Sequence, residues 1–363
     1  MTQTRELRAR VPGLALATGI AAVATAIGRI VPLIGGPVSG IVMGVILATL
    51  IKPGARMRVG IGAATGSVLQ LSVVVLGSQL SLAQIAKVGL ESLPVMMGTL
   101  VVCLTAAWLI GRRLGITGNL RTLIGVGTGV CGASAIAAVT PVIGAVRIDV
   151  AYAISTIFLF NIGAVLVFPI IGHLLGLSQH AFGLFAGTAV NDMSSVVATA
   201  ITYGPAATNF AVVVKLVRTL MIIPVSFGLA AWAGRRDAAA ESAAAQGVAA
   251  QSVAAQDSAD HDSADHVPVA RARVRVLRLV PWLLIGFIVV AAVNSIGLIP
   301  AGARSGLSAT SVFLITIALS AIGLSTDLAG FRRAGARPLI LGASLWVIVS
   351  LTSLGLQFAT GLN

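Results

Sequence analysis

Eleven apolar windows dominate the sequence, at approximately 11–31, 33–51, 59–79, 92–111, 119–145, 148–172, 180–202, 207–233, 279–297, 308–327 and 338–358. A helix needs about 20 such residues to cross the hydrocarbon of a bilayer, so the pattern dictates a chain solvated by lipid. Only 10% of the 363 residues are charged, against roughly 25% in soluble domains. The apolar residues come in continuous runs without alternation, which excludes a membrane β-barrel. Forty-one glycines and 5% aromatics point to helices packed closely through small residues. The expected fold class is an all-α polytopic membrane protein of about eleven transmembrane helices.

The distribution of charge tests that count independently. Taking every second segment from the N-terminus collects Arg5, Arg8 and Arg10, then Lys52, Arg56 and Arg58, then Arg112, Arg113 and Arg121, none near Ser178, then Arg235, Arg236, Arg271, Arg273, Arg275 and Arg278, and finally Arg332, Arg333 and Arg337. The alternate segments hold only Arg29, Lys87, Arg147 and Arg304. Cytoplasmic loops are rich in Lys and Arg, which predicts a cytoplasmic N-terminus, an external C-terminus and insertion in the plasma membrane. Making both 119–145 and 180–202 re-entrant preserves this bias, whereas making only one re-entrant inverts the later loops. The net charge of +13 does not indicate nucleic-acid binding, because no basic run is interleaved with aromatics. The run at 11–31 is long enough to span and lacks a cleavage signal, so it reads as the first helix.

Residues 234–268 differ from the rest, with repeated AAQ and DSADH units and six of the eleven acidic residues. This composition predicts a disordered cytoplasmic linker, and His261 and His266 within it read as solvated. It divides the chain into 1–233, with about eight windows, and 269–363, with about three.

Two windows are dense in Gly, Ser and Thr, and they resemble each other. GTGVCGASAIAA (Gly127 to Ala138) pairs with GTAVNDMSSVVA (Gly187 to Ala198) at an offset of 60, and both have the character of broken helices. A second match sets Leu76 to Gly89 beside Ile322 to Gly335, at an offset of 246 and in antiparallel windows. Transporters often carry their substrate site at the interface of such repeats, although small-residue packing motifs also recur in glycine-rich membrane proteins.

Ionisable residues within spans are functional candidates because their burial costs energy. Asp192 follows Asn191 in the polar break of the seventh window. Lys215 and Arg218 lie one turn apart in the eighth and share a face. They read either as charge partners for an anion or as a static network that neutralises Asp192. Thr128, Ser134, Thr188, Ser194 and Ser195 bring hydroxyls to the breaks, where they either satisfy freed backbone groups or coordinate an oxyanion. Asp327 reads as an interfacial carboxylate, His173 and His180 as interfacial, and Cys103 and Cys131 as packing residues. No histidine lies inside a span and no nucleophile has a partner, so no catalytic residue, metal site or cofactor is expected, and the chain does not read as an enzyme.

GTGVCGASAIAAVTPVIGA (Gly127 to Ala145), GTAVNDMSSVVATA (Gly187 to Ala200), VVVKLVRTLMIIP (Val212 to Pro224) and VPWLLIGF (Val280 to Phe287) resemble the YeiH-like family of bacterial inner-membrane proteins, which carry the name sulfate exporter. The family is similar to the cation/proton antiporter and anion transporter superfamily, which implies an inverted-repeat fold with crossed, broken helices. Asn191-Asp192 also looks like the Asn-Asp pair of electroneutral sodium/proton antiporters. The resulting expectation is a secondary transporter of a small inorganic or sulfonated anion by alternating access, with a proton or sodium as coupling ion. The alternative is a sodium/proton antiporter centred on Asp192. The oligomeric state is not legible.

Overall fold

A computed structural model describes residues 2–30, 35–51, 54–232, 235, 282–325 and 335–362. Apart from Arg235, the 234–268 linker lies outside these residues, as do Asp327 and most of the second half of the 246-offset match. The described chain is helical: α1 (Thr2–Ile30), α2 (Gly35–Ile51), α3 (Ala55–Ala63), α4 (Leu69–Leu76), α5 (Leu82–Arg113), α6 (Gly118–Gly129), α7 (Ala133–Ile143), α8 (Arg147–Leu174), α9 (Gln179–Ala189), α10 (Met193–Ile201), α11 (Pro205–Leu220), α12 (222–232), α13 (Trp282–Ser295), α14 (Ala301–Ser325) and α15 (Ala336–Thr360). A π turn at Ala64–Val68 joins α3 to α4 as one rod, and α12 continues α11 past Met221. Among the described residues seven helical stretches are long and apolar enough to cross a membrane by length and composition. The chain is therefore a polytopic all-α membrane protein.

The helices sort into two bundles. One holds α1, α2, the α3–α4 rod, α13 and α14; the other holds α5 to α12 with α15. Division along the chain is thus not division in space, because the last three helices are shared between the bundles. Within the first bundle α2 and α14 touch backbone to backbone: a Cβ on Gly44 would meet the Ser320 carbonyl and lie 3.0 Å from the Gly323 Cα. Lipid gives no hydrophobic drive for helix association, so such close approach supplies the packing energy. The bundles meet chiefly where α10 leans on α14 and α2, and where α13 leans on α5.

Helix directions settle how the two polar windows run. Arg337 at the start of α15 lies beside Gly115 just after α5, and Leu356 near the other end packs on Gly98, so α5 and α15 are antiparallel. Along α15, Gly342 meets Thr156 and Phe160, and Trp346 stacks on Phe168 at 5.1 Å, so α8 runs parallel to α15. Hence α5 ends and α8 begins at the same end of the molecule, and α6–α7 between them is a hairpin that enters and leaves on that side. For α9–α10 the proof is local. The Tyr203 hydroxyl after α10 donates to the Leu177 carbonyl before α9 at 2.6 Å, and Gln179 Oε1 accepts from Ala206 N–H at 3.1 Å. This second hairpin opens to the opposite end.

Among the described residues the windows at 119–145 and 180–202 are therefore re-entrant hairpins that meet tip to tip, and not crossings. Each hairpin contains as many apolar residues as a span, so window length alone does not reveal its direction. Each hairpin is followed by a full pass, α8 or α11–α12, giving two adjacent units of opposite sense. The 60-residue repeat has this physical counterpart.

Candidate functional site

The hairpin tips meet halfway along α8. Gly132, at the turn of the first, has φ +71°, and a Cβ there would lie 3.1 Å from the Asp192 Cβ at the turn of the second. Both turns interrupt a helix in the interior, which leaves carbonyls at the C-termini of α6 and α9 and N–H groups at the N-termini of α7 and α10 without intrahelical partners. The side chains singled out in the sequence answer these two needs separately.

Lys215 and Arg218 serve the carbonyl ends. Both are 0% exposed. Lys215 Nζ donates to the Val130 and Val190 carbonyls at 2.9 Å each, one from each hairpin. Arg218 Nε donates to the Gly129 carbonyl at 2.8 Å, Nη2 to the Thr128 carbonyl at 3.3 Å and Nη1 to the Thr188 carbonyl. One turn of α11 thus ties both tips with five charge-assisted hydrogen bonds, and its two positive charges face the negative ends of two helix dipoles.

Asp192 serves the N–H end. It is the N-cap of α10: Oδ1 accepts from Ser195 N–H at 3.0 Å and from the Ser194 hydroxyl, while Oδ2 accepts from the Ser195 hydroxyl at 2.8 Å and from Asn161 Nδ2. It forms no ion pair among the described residues, so the two cations do not neutralise it by direct contact. Asn161, 1% exposed on α8, also accepts from Asn191 N–H at 3.2 Å and so fixes the turn itself. The sequence reading missed Asn161, for which the available signal was an amide in the middle of an apolar window. Asn191 is 2% exposed, and its Oδ1 is buried without a hydrogen-bond partner.

The hydroxyls divide. The Thr188 hydroxyl is occupied by the Leu184 carbonyl and the Ser353 hydroxyl, at 2.7 and 2.6 Å, and Thr128 is buried with its carbonyl held by Arg218. Ser134 is exposed at the start of α7, where its hydroxyl donates to the Cys131 carbonyl at 3.0 Å and no side chain caps the helix. Ser194 and Ser195 line a cavity of about 390 Å³ between α2, α8, α10 and α14, walled otherwise by apolar residues such as Ile41, Leu159 and Leu319. This cavity lies in the seam between the bundles, directly beside Asp192. Cys103 and Cys131 are free and buried.

Residues 12–342 match the model of a family described as conserved hypothetical protein 698. A UPF0324 membrane protein of Streptococcus mutans serotype c is 37% identical over 361 residues, covering 97% of this chain and 98% of its own length. Relatives bearing the same family designation in Streptococcus pyogenes serotype M3 and Fusobacterium nucleatum are each 36% identical, over 359 and 370 residues. They cover 97% and 96% of this chain, and 98% of their own lengths.

Proposed function

The chain belongs to the conserved hypothetical protein 698 family of membrane proteins, the YeiH-like family that its motifs resembled, and from that premise we propose that it is a secondary transporter of a small anion. The observation that carries the proposal is the charge balance where the hairpins meet. Each helix end amounts to about half a charge. The C-termini of α6 and α9 supply about one negative charge, against two positive charges on Lys215 and Arg218. The N-termini of α7 and α10 supply about one positive charge, against the single negative charge of Asp192. With Lys215 and Arg218 both protonated the junction is left with about one net positive charge in low dielectric, and the start of α7 beside Ser134 has no side-chain cap. That is an environment for a small oxyanion such as sulfate or a sulfonate. Lys215 and Arg218 act through their field and through the carbonyls they hold rather than by contact.

The architecture supports alternating access in which the hairpin bundle shifts against the other along the thinly contacted seam that contains the cavity. The orientation is assigned by charge. Nineteen of the 24 basic residues fall, in sequence, at or between helix ends on the side where α1 begins, and only Arg29, Lys87 and Arg304 fall on the other. With both hairpins re-entrant, Arg147 joins the basic side and the Ser178 loop, which has no basic residue, leaves it. This supports a cytoplasmic N-terminus, an external C-terminus and residence in the plasma membrane. No step in this reading is enzymatic.

Asp192 carries a second reading. It is a partly exposed carboxylate at the junction with no ion pair among the described residues, as a sodium/proton antiporter would require. Counterflow of radiolabelled sulfate into proteoliposomes preloaded with unlabelled sulfate tests the choice. Accumulation of label is expected; no sulfate or sulfonate counterflow, together with a sodium-driven change in internal pH, would replace the anion reading with the antiporter.

A further inference from the structure

A second cavity, of about 420 Å³, lies apart from the hairpin tips, between α5, α6 and α12 at the end of the molecule where α5 finishes. Its walls are apolar, with Leu104, Val126 and Leu229 among them, and no acidic residue lines it among the described residues. Trp108 and Trp232 stand at its rim, 50% and 47% exposed, as tryptophans do at headgroup depth.

Among the described residues the only charge in the lining is Arg121. The stem of Arg121 lies flat on Gly111, where a Cβ would come within 2.6 Å of its Cγ and Cδ, and its Nη2 reaches toward Gly118 at the helix start. The guanidinium has no hydrogen-bond or ion-pair partner among the described residues. Arg112 sits beside the pocket with its guanidinium 5.7 Å from the Trp108 ring centroid, and Arg113 is exposed next to it. An apolar slot under an arginine without a hydrogen-bond or ion-pair partner among the described residues, with a second arginine held on Trp108 beside it, is complementary to one ligand chemistry: a phosphate attached to an acyl chain.

We propose that this pocket binds an anionic phospholipid, with its phosphate on Arg121 and Arg112 and an acyl chain against Leu104, Val126 and Leu229. The consequence reaches the transport site. One wall is α6, whose Thr128 and Gly129 carbonyls are held by Arg218, and the other is α12, which continues the helix that carries Arg218. A lipid in the slot braces the first hairpin against the helix that ties its tip.

The test uses the full chain in phosphatidylcholine bilayers, in a Trp282→Phe background that removes another exposed tryptophan, with quenching by phosphatidylglycerol or phosphatidylcholine brominated on the acyl chain. Phosphatidylglycerol is expected to quench at a mole fraction at least about fivefold lower, the factor carried by one interfacial arginine. Arg121→Gln should remove that preference. Gly228→Leu, whose side chain grows into open space in the pocket, should remove it as well. Native mass spectrometry of the purified protein should show one retained phosphatidylglycerol, lost in both variants. Equal quenching by the two lipids would overturn the proposal. So would loss of the preference in Arg121→Gln alone, which would indicate surface attraction without a pocket. These readouts do not depend on which ion is transported.

Discussion

Replacing Arg218 by alanine separates two roles that its position inside the membrane leaves open, tying the hairpins or binding the transported ion. In the structure all three of its nitrogens donate to backbone carbonyls, those of Gly129, Thr128 and Thr188, and the side chain is 0% exposed. Truncation leaves three buried acceptors unpaired at roughly 1–3 kcal/mol each. These costs are not additive, and breaking one side of a buried charged network typically costs about 3–5 kcal/mol. Arg218→Ala should therefore destabilise by about 4 kcal/mol, a large fraction of the roughly 5–15 kcal/mol that holds a protein folded. Arg218→Lys keeps the charge but replaces a three-nitrogen fork by one nitrogen, and should lose about half as much. Reversible unfolding in mixed detergent micelles, followed by circular dichroism, measures both. If Arg218→Ala unfolds within about 1 kcal/mol of the parent while losing all sulfate counterflow, the arginine binds substrate and the carbonyl tie is not its purpose.

Other substitutions at the tips and in the first bundle have distinct outcomes. Asp192→Asn keeps the cap on Ser195 N–H but sets an amide NH2 against the Asn161 amide that donated to Oδ2, so it should cost about 1–3 kcal/mol, while counterflow per folded molecule falls by about tenfold or more. Gly132→Ala adds a Cβ at φ +71° and ψ −132°, 3.1 Å from Asp192; it should cost about 1–3 kcal/mol in the same unfolding assay and slow counterflow by parting the tips. Gly44→Val drives a branched side chain into the α14 backbone, and size-exclusion chromatography should show little monodisperse protein, whereas Gly19→Val, with nothing within 4 Å of its Cβ, should elute as the parent does.

The sequence exposed the helical content, the two interrupted windows and the three charges at their meeting point, because each follows from the cost of polar groups in lipid. It did not expose direction. A hairpin of α6 and α7 presents the same apolar length as one crossing, and only partners distant in sequence, such as Gly98 with Leu356 and Gly115 with Arg337, reveal that it turns back. The basic-residue count carried a trace of the answer, since the loop near Ser178 was the one supposedly cytoplasmic segment with no positive charge. The pairing of charges was equally hidden. Asp192, Lys215 and Arg218 read as a neutralising network or a ligand set, yet each cation answers a helix C-terminus and the carboxylate a helix N-terminus, and neither end is visible until the breaks are placed. Asn161 was missed because one amide in a 28-residue helix leaves its periodicity unchanged.

The two hairpins enter from opposite faces, and cysteine accessibility tests this arrangement. In a Cys103→Ser/Cys131→Ser background, single cysteines replace Val146 and Leu175, exposed at 57% and 48% on either end of α8, and a C-terminal tag reports the side of the C-terminus. With a membrane-impermeant maleimide on intact cells, Leu175→Cys should label from the same side as the tag, and Val146→Cys only after permeabilisation. Eleven full crossings require the reverse, with Val146→Cys labelled on the side of the tag and Leu175→Cys protected, and that result would contradict the meeting of the tips on which the proposed site depends.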